Sequence, residues 1–381
     1  VDIVRILVAG ATGYVGSRLV AALVADGHDV LAATRDPDRL TRFGWYDDIT
    51  PVALDAADPA SVTEAFAQAG PVDVVYYLVH GIGQPDFRAA DNRAAANVAA
   101  AAKDVNRIVY LGGFVPVQDT ELSDHLAGRA EVAKALAVEG GPELVRLGAA
   151  VIIGAGSTSF EMVRYVGDRF WLIPMPKWVD NAMDPISIRD VLHYLVAAAD
   201  PDRVPAGGYD IRGPETTTYR GLITAYAHAS GTWRAGVPVR GIDTALMSRM
   251  AGAAMPVPSG LAADLVESLD HTMTASADLL RAVVPDPPGG LTTMEDAMAL
   301  SLSSHWPLPA NVLADPHHLA DSDPVWAGGD TLRIQHLASL VTPSIAWPAL
   351  RLLGAVPGPV AGAVRTGLDM LINLAPGARS T

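Results

Sequence analysis

With 381 residues, half of them hydrophobic and 18% charged, the chain is long enough to bury a sizeable core and lies outside the disordered class. A net charge of −15 without any Lys/Arg-rich run argues against nucleic acid as a partner, because binding phosphate needs a basic surface. The absence of cysteine excludes disulfides, thiol catalysis and thiolate metal sites together.

Short apolar runs bounded by turn residues alternate with Ala-rich stretches over the first 150 residues. Strands are expected over 5–9, 29–33, 51–54, 72–78, 107–111 and 144–147, each continuously apolar, as in a parallel sheet buried on both faces. Crossover helices are expected over 15–25, 61–69, 86–102 and 122–138. The alternation implies an α/β fold, a Rossmann-type doubly wound parallel sheet. No leader precedes the first strand, so the expected location is cytoplasmic.

Beyond residue 150 the pattern loosens. Residues 151–235 read as a small substrate lobe completing the sheet edge, with helices over 191–199 and 219–230 and a strand over 209–212. A mostly helical C-terminal extension with proline breaks is expected over 236–305, then a loop-rich linker to 332. The tail, 333–381, carries four arginines against one acid and apolar stretches interrupted by Pro343, Pro348, Pro357 and Pro359. None reaches the roughly 20 residues a membrane-spanning helix needs. The tail is instead expected to lie in a membrane interface or to pack on the body or a second copy of the chain.

Gly10-Ala11-Thr12-Gly13-Tyr14-Val15-Gly16 follows the first strand and opens the first helix. Gly10 permits a tight turn, Gly13 lets backbone approach a pyrophosphate, and Gly16 lets helix pack against strand. The free N–H groups at the helix start then face the phosphates. Gly10, Thr12, Gly13, Tyr14, Val15 and Gly16 are therefore assigned to a dinucleotide cofactor. The second strand ends Thr34-Arg35-Asp36. An acid near this place would hold a ribose 2′-hydroxyl, whereas Arg35 suits a 2′-phosphate, so NADP(H) is expected over NAD(H). The opposing reading is a solvated arginine in a chain whose basic residues are nearly all arginine.

These features, with Leu54-Asp55, Val75-Tyr76-Tyr77-Leu78-Val79-His80, Val109-Tyr110-Leu111-Gly112-Gly113 and Pro185-Ile186-Ser187-Ile188-Arg189-Asp190-Val191, resemble the atypical short-chain dehydrogenase/reductase superfamily. The similarity covers about residues 1–235 and is greatest to its NmrA-like and YbjT-like NAD(P)H-binding branch. It implies Asp55 near the adenine, with Leu78 and Val79 along the route to the nicotinamide.

Carbonyl-reducing members of that superfamily use a Tyr-x-x-x-Lys pair after the fifth strand and a hydroxyl at that strand's end. This chain contains no Tyr-x-x-x-Lys, and the strand ends in Gly112-Gly113. His125 and Arg129 stand at the expected helix position one turn apart, as candidate proton donor and anchoring cation. A cofactor-lining or surface pair is the bland alternative. Tyr77 and His80, at the sheet's carboxyl edge, and Arg164 are candidate substrate contacts, although Tyr76 or Tyr77 would be packed by strand alternation. The histidines lack metal-ligand spacing, so no metal site is expected. Two functions fit: an NADP(H)-dependent oxidoreductase on an apolar small molecule, or a catalytically silent NADPH-binding sensor or assembly subunit.

Overall fold

The computed structural model describes residues 3–81, 86–114, 124–241, 247, 255–277, 280–303, 306–330, 332–333 and 366. The expected strands form as β1 (Arg5–Ala9), β2 (Asp29–Thr34), β3 (Thr50–Ala53), β4 (Val74–Tyr77), β5 (Arg107–Gly113) and β6 (Glu143–Ala149). Between them lie α1 (Tyr14–Ala25), α2 (Pro59–Ala69), α3 (Phe87–Ala101) and α4 (Asp124–Leu136).

Continuous apolarity in the strands has the cause it implies, because helices cover both faces. Ile6 and Val8 point to one face with Leu19, Val20 and Leu23 of α1. Leu7 and Ala9 point to the other, with Ala95 and Val98 of α3. This is the two-residue period of a strand, read on both sides. The same alternation splits the tyrosine pair of β4. Tyr76 faces α1 and donates its hydroxyl to the Leu195 carbonyl at 2.6 Å, and Tyr77 packs among α3 and α4 residues.

The lobe supplies β7 (Ile152–Ile153), α5 (Thr158–Arg169), β8 (Leu172–Met175), β9 (Ala182–Met183), β10 (Ile186–Ser187), α6 (Ile188–Ala197), β11 (Gly207–Asp210), β12 (Thr217–Thr218), α7 (Tyr219–Ala229) and β13 (Ala235–Pro238). β11 joins the main sheet, giving seven parallel strands in the order β11-β6-β5-β4-β1-β2-β3. Strand order reverses between β1 and β4, which opens a crevice at their carboxyl ends, where ligands of such sheets bind.

The C-terminal region is helical as expected and contains α8 (Ser259–Ser268) and α9 (Met294–Ser303), while 235–238 are extended. The long gap between these helices contains Pro285, Pro287 and Pro288, which remove backbone donors, and Gly289 and Gly290 at φ 88° and 82°. The expectation of a linker over 307–332 needs correction. The buried Arg18 guanidinium binds the Pro316, His318 and Ala155 carbonyls and both oxygens of Asp323. Arg169 forks onto Asp330 in the same manner, at 2.9 and 2.5 Å. The segment is a strap held to α1 and α5 by two buried ion pairs. No helix among the described residues is long and apolar enough to cross a membrane. The tail expected to contact a membrane or a second copy lies almost wholly outside the described residues.

Candidate functional site

The glycine loop assigns each glycine a separate physical task. Gly10 adopts φ +93°, and a Cβ there would come within 2.9 Å of the Leu78 carbonyl oxygen. β4 therefore ends directly against the turn. A Cβ at Gly16 would stand 2.1 Å from the Gly10 carbonyl oxygen, so helix and loop touch only because that side chain is missing. Gly13 differs from both. Its Cβ would meet only the Gly10 oxygen, at 3.4 Å, and Gly13 itself is exposed. Among the described residues nothing else packs there. Gly13 is also the N-cap of α1, with no side-chain cap and no acid in the first turn. The unpaired N–H groups and the positive helix end face open space suited to a diphosphate.

The side chain of Tyr14 is turned inward. Its ring lies under the Arg18 guanidinium, 4.2 Å from centroid to Cζ, and burial raises the pKa of its unpartnered hydroxyl. Tyr14 can serve a phosphate through its backbone N–H, as can Val15. Thr12 and Val15 are half-buried beside the loop.

At the end of β2, Arg35 and Asp36 are both exposed. The Asp36 carboxylate is engaged, accepting from the Asp38 backbone N–H at 3.2 Å to cap a short 3-10 helix. Arg35 has no such engagement among the described residues. Asp55, half-buried after β3, accepts from the Ala57 N–H at 3.0 Å, an Asx turn that leaves its second oxygen unused. Leu78 donates its N–H to the Ala9 carbonyl at 2.9 Å, and Leu78 and Val79 are half-buried past the end of β4.

Three charged or polar groups gather beyond β4. His80 presents an exposed surface to the cleft. The surrounding protein and the positive charge of Arg129 push its pKa down, so the ring is neutral at pH 7. Asp91 of α3 accepts from the Gly81 N–H with both oxygens, at 2.8 and 3.0 Å. Burial raises its pKa, and the Gly81 bond and Arg129 oppose that shift. The Nε of Arg129 is buried without a hydrogen-bond partner. Arg129, expected to pair with His125, lies close enough to His80 and Asp91 to act on both, a grouping not foreseen from the sequence. The side chain of His125 lies outside the described residues.

Two expected substrate contacts are corrected. Tyr77 is 0% exposed, sealed between β4 and the α3 side of the sheet, because strand alternation turns it into the core. Arg164 is also buried, stacked on Phe160 and bonded to the Ser301 carbonyl at 3.2 Å beside Glu161. Its helix face points inward, so this cation serves packing.

A cavity of about 80 Å³ opens at the ends of β5 and β6, bordered by Gly113, Ala149, Met162, Met183, Tyr219 and Leu269. Gly113 and Ala149 are register partners in the sheet, α5 and α7 form walls, and α8 closes the side that leans on α4. Tyr219, at the first position of α7, escaped the sequence reading. No motif marks a tyrosine so far downstream of the fifth strand.

Residues 10–137 match the model of the NAD(P)H-binding family. Among solved structures, a nucleoside-diphosphate-sugar epimerase from Staphylococcus aureus superposes with a TM-score of 0.62 at 17% identity, covering 77% of this chain and 99% of the other. The Bordetella bronchiseptica enzyme WbmH in complex with NAD+ gives 0.57 at 16% identity, covering 78% and 96%. Residues 10–137 thus match an NAD(P)H-binding domain, and the chain shares its fold with these solved structures. Among curated proteins, a 3-diazoavenalumate denitrifying reductase from a Streptomyces species is 44% identical over 74 residues, 19% of this chain and 23% of its own. An uncharacterized protein of Mycobacterium tuberculosis is 26% identical over 224 residues, 58% of this chain and 23% of its own. The chain thus spans about a quarter of the length of these relatives. The family match and the NAD-bound neighbour agree on a nicotinamide dinucleotide.

Proposed function

We propose that the protein is an NADP(H)-dependent oxidoreductase of the NmrA-like type acting on a small apolar molecule, and that it works in the cytoplasm. The observation that carries the cofactor choice is the end of β2. Asp36 uses its carboxylate on its own 3-10 helix, leaving Arg35 as the group disposed toward a 2′-phosphate. The pyrophosphate would rest on the Tyr14 and Val15 N–H groups over Gly13, the adenine would lie toward Asp55, and Leu78 and Val79 would flank the nicotinamide. A reduced nicotinamide held there supplies hydride to a substrate carbon. Arg129 offers a positive charge beside the site, and His125 stands one helical turn from it.

NADPH consumption across a panel of quinones, enones and ketones tests this reading. Turnover of at least one class is expected, with NADPH favoured over NADH. The absence of Tyr-x-x-x-Lys and of a hydroxyl at Gly112-Gly113 favours a second reading, a silent NADPH-binding sensor or assembly subunit. Tight NADPH binding without turnover of any panel member would establish it.

A further inference from the structure

Each fully buried arginine among the described residues has a carboxylate partner: Arg18 has Asp323, Arg107 has Glu143, Arg164 has Glu161 and Arg169 has Asp330. Arg129 departs from that pattern. It is half-buried, and its enclosed Nε has no hydrogen-bond partner. The carboxylate that feels its charge, Asp91, is held with both oxygens on the Gly81 N–H at 2.8 and 3.0 Å. Among the described residues no carboxylate forms an ion pair with the Arg129 guanidinium. A cation drawn out of water without a partner is costly unless something supplies the counter-charge.

The position of Arg129 narrows what that something is. Its stem runs beside the end of β5, where a Cβ on Gly113 would lie 3.9 Å from the Arg129 Cγ. Its charge acts on His80, past the end of β4. The cation thus stands at the carboxyl edge of β5 and β4. The cofactor's own anions belong elsewhere, because the glycine loop follows β1 and Arg35 follows β2. In the strand order β5-β4-β1-β2, β5 is roughly 10 Å from β1 and roughly 14 Å from β2 at the usual strand spacing. What reaches back over Leu78 and Val79 is the nicotinamide end, and a reduced nicotinamide carries no negative charge. The missing counter-ion is therefore not the cofactor's. A planar guanidinium fits a carboxylate through two parallel hydrogen bonds. With Asp91 close by, one arginine suits a single negative charge better than a phosphate dianion.

We propose that Arg129 binds the carboxylate of the substrate, so that the molecule acted on is an otherwise apolar acid. This rests on the oxidoreductase reading and narrows its substrate class. Arg129 holds the acid at the end of β5, on the side of the crevice away from the 2′-phosphate.

The test uses the full chain saturated with NADPH. Benzoate and benzamide, alike in shape and different in charge, serve as probes, with binding read by ligand-observed NMR. Benzoate should bind saturably, and about 10- to 100-fold more weakly to Arg129→Gln, the loss of hydrogen bonds to a charged group. Benzamide should not distinguish the two proteins. Arg129→Lys, which keeps the charge and loses the fork, should fall between them, and Arg203→Gln, at an exposed arginine, should bind benzoate as the unmodified protein does. An unpaired cation adds nothing to the fold, so Arg129→Gln should keep the wild-type midpoint in urea; a lowered midpoint would mark a structural cation instead and overturn the proposal. Benzoate that fails to bind, binds Arg129→Gln as tightly, or weakens as much in Arg203→Gln also overturns it. So does Arg129→Gln that loses NADPH affinity but keeps benzoate, because the cation then serves the nicotinamide ribose. NADPH affinity of the unmodified protein separates the two failures. If NADPH binds and benzoate does not, only the acid assignment falls; if NADPH does not bind, the oxidoreductase reading falls.

Discussion

Gly13 and Gly16 stand three residues apart, yet substitution should act on different properties. At Gly16 a side chain collides with the Gly10 backbone, so Gly16→Ala should lower stability. At Gly13 a side chain has space and removes only what the nucleotide would occupy. Gly13→Val is expected to keep the wild-type denaturation midpoint and to lose NADPH binding in calorimetry; unchanged affinity would make the loop purely structural. Arg35→Asp should weaken NADPH by about 10- to 100-fold, the value of a hydrogen bond to a charged group, and NADH much less. Equal affinities of the unmodified protein for both nucleotides would refute the 2′-phosphate role. For His80, a pKa lowered in the folded protein means that the unfolded chain takes up the proton first as pH falls. Stability linked to this ring is therefore present above its unfolded pKa of about 6.5 and declines below it. An NMR titration from about pH 7 to pH 5 should leave the His80 ring resonances unmoved while exposed histidines titrate.

At the scale of elements, the strap over 307–330 is the part that sequence pattern misrepresents. It contains little regular structure, but its Asp323 and Asp330 are buried against Arg18 and Arg169. Removing one partner of a buried pair leaves an uncompensated charge, at a cost of about 3–5 kcal/mol. Asp323→Ala should lose stability on that scale in urea denaturation. Because Arg18 lies on the helix that would hold the pyrophosphate, NADPH affinity should fall with it. Asp330→Ala, anchored on α5, should destabilise comparably with less effect on the nucleotide. A strap that is merely a linker would tolerate both changes.

On the scale of the molecule, a ligand that binds only the folded state stabilises all that folds with its site. With NADPH at about 100 times its dissociation constant the gain should be about 2.7 kcal/mol. Arg18 of the glycine helix binds the lobe at the Ala155 carbonyl and the strap at Asp323, and β11 ties the lobe to the sheet. One cooperative transition should therefore move to higher denaturant as a unit. A midpoint that ignores NADPH would mean the nucleotide does not bind, and a shift of only part of the transition would mean that the strap folds separately.

The alternation of apolar runs and helices determined the sheet, and the spacing of Gly10, Gly13 and Gly16 determined where a dinucleotide would meet it. Both are local patterns, repeated within a few residues, and the physics that produces them acts at that range. What only the tertiary structure decided depends on residues distant in the chain. Strand alternation sealed Tyr77 in the core, while His80, beyond the end of β4, is exposed. Arg164 and Arg18 read as two arginines among many, and packing made both buried structural cations. Tyr219 and Gly113, far apart in the chain, border one cavity. A chemical site of this kind is a matter of distance between side chains from separate elements, and no periodicity along the sequence records it.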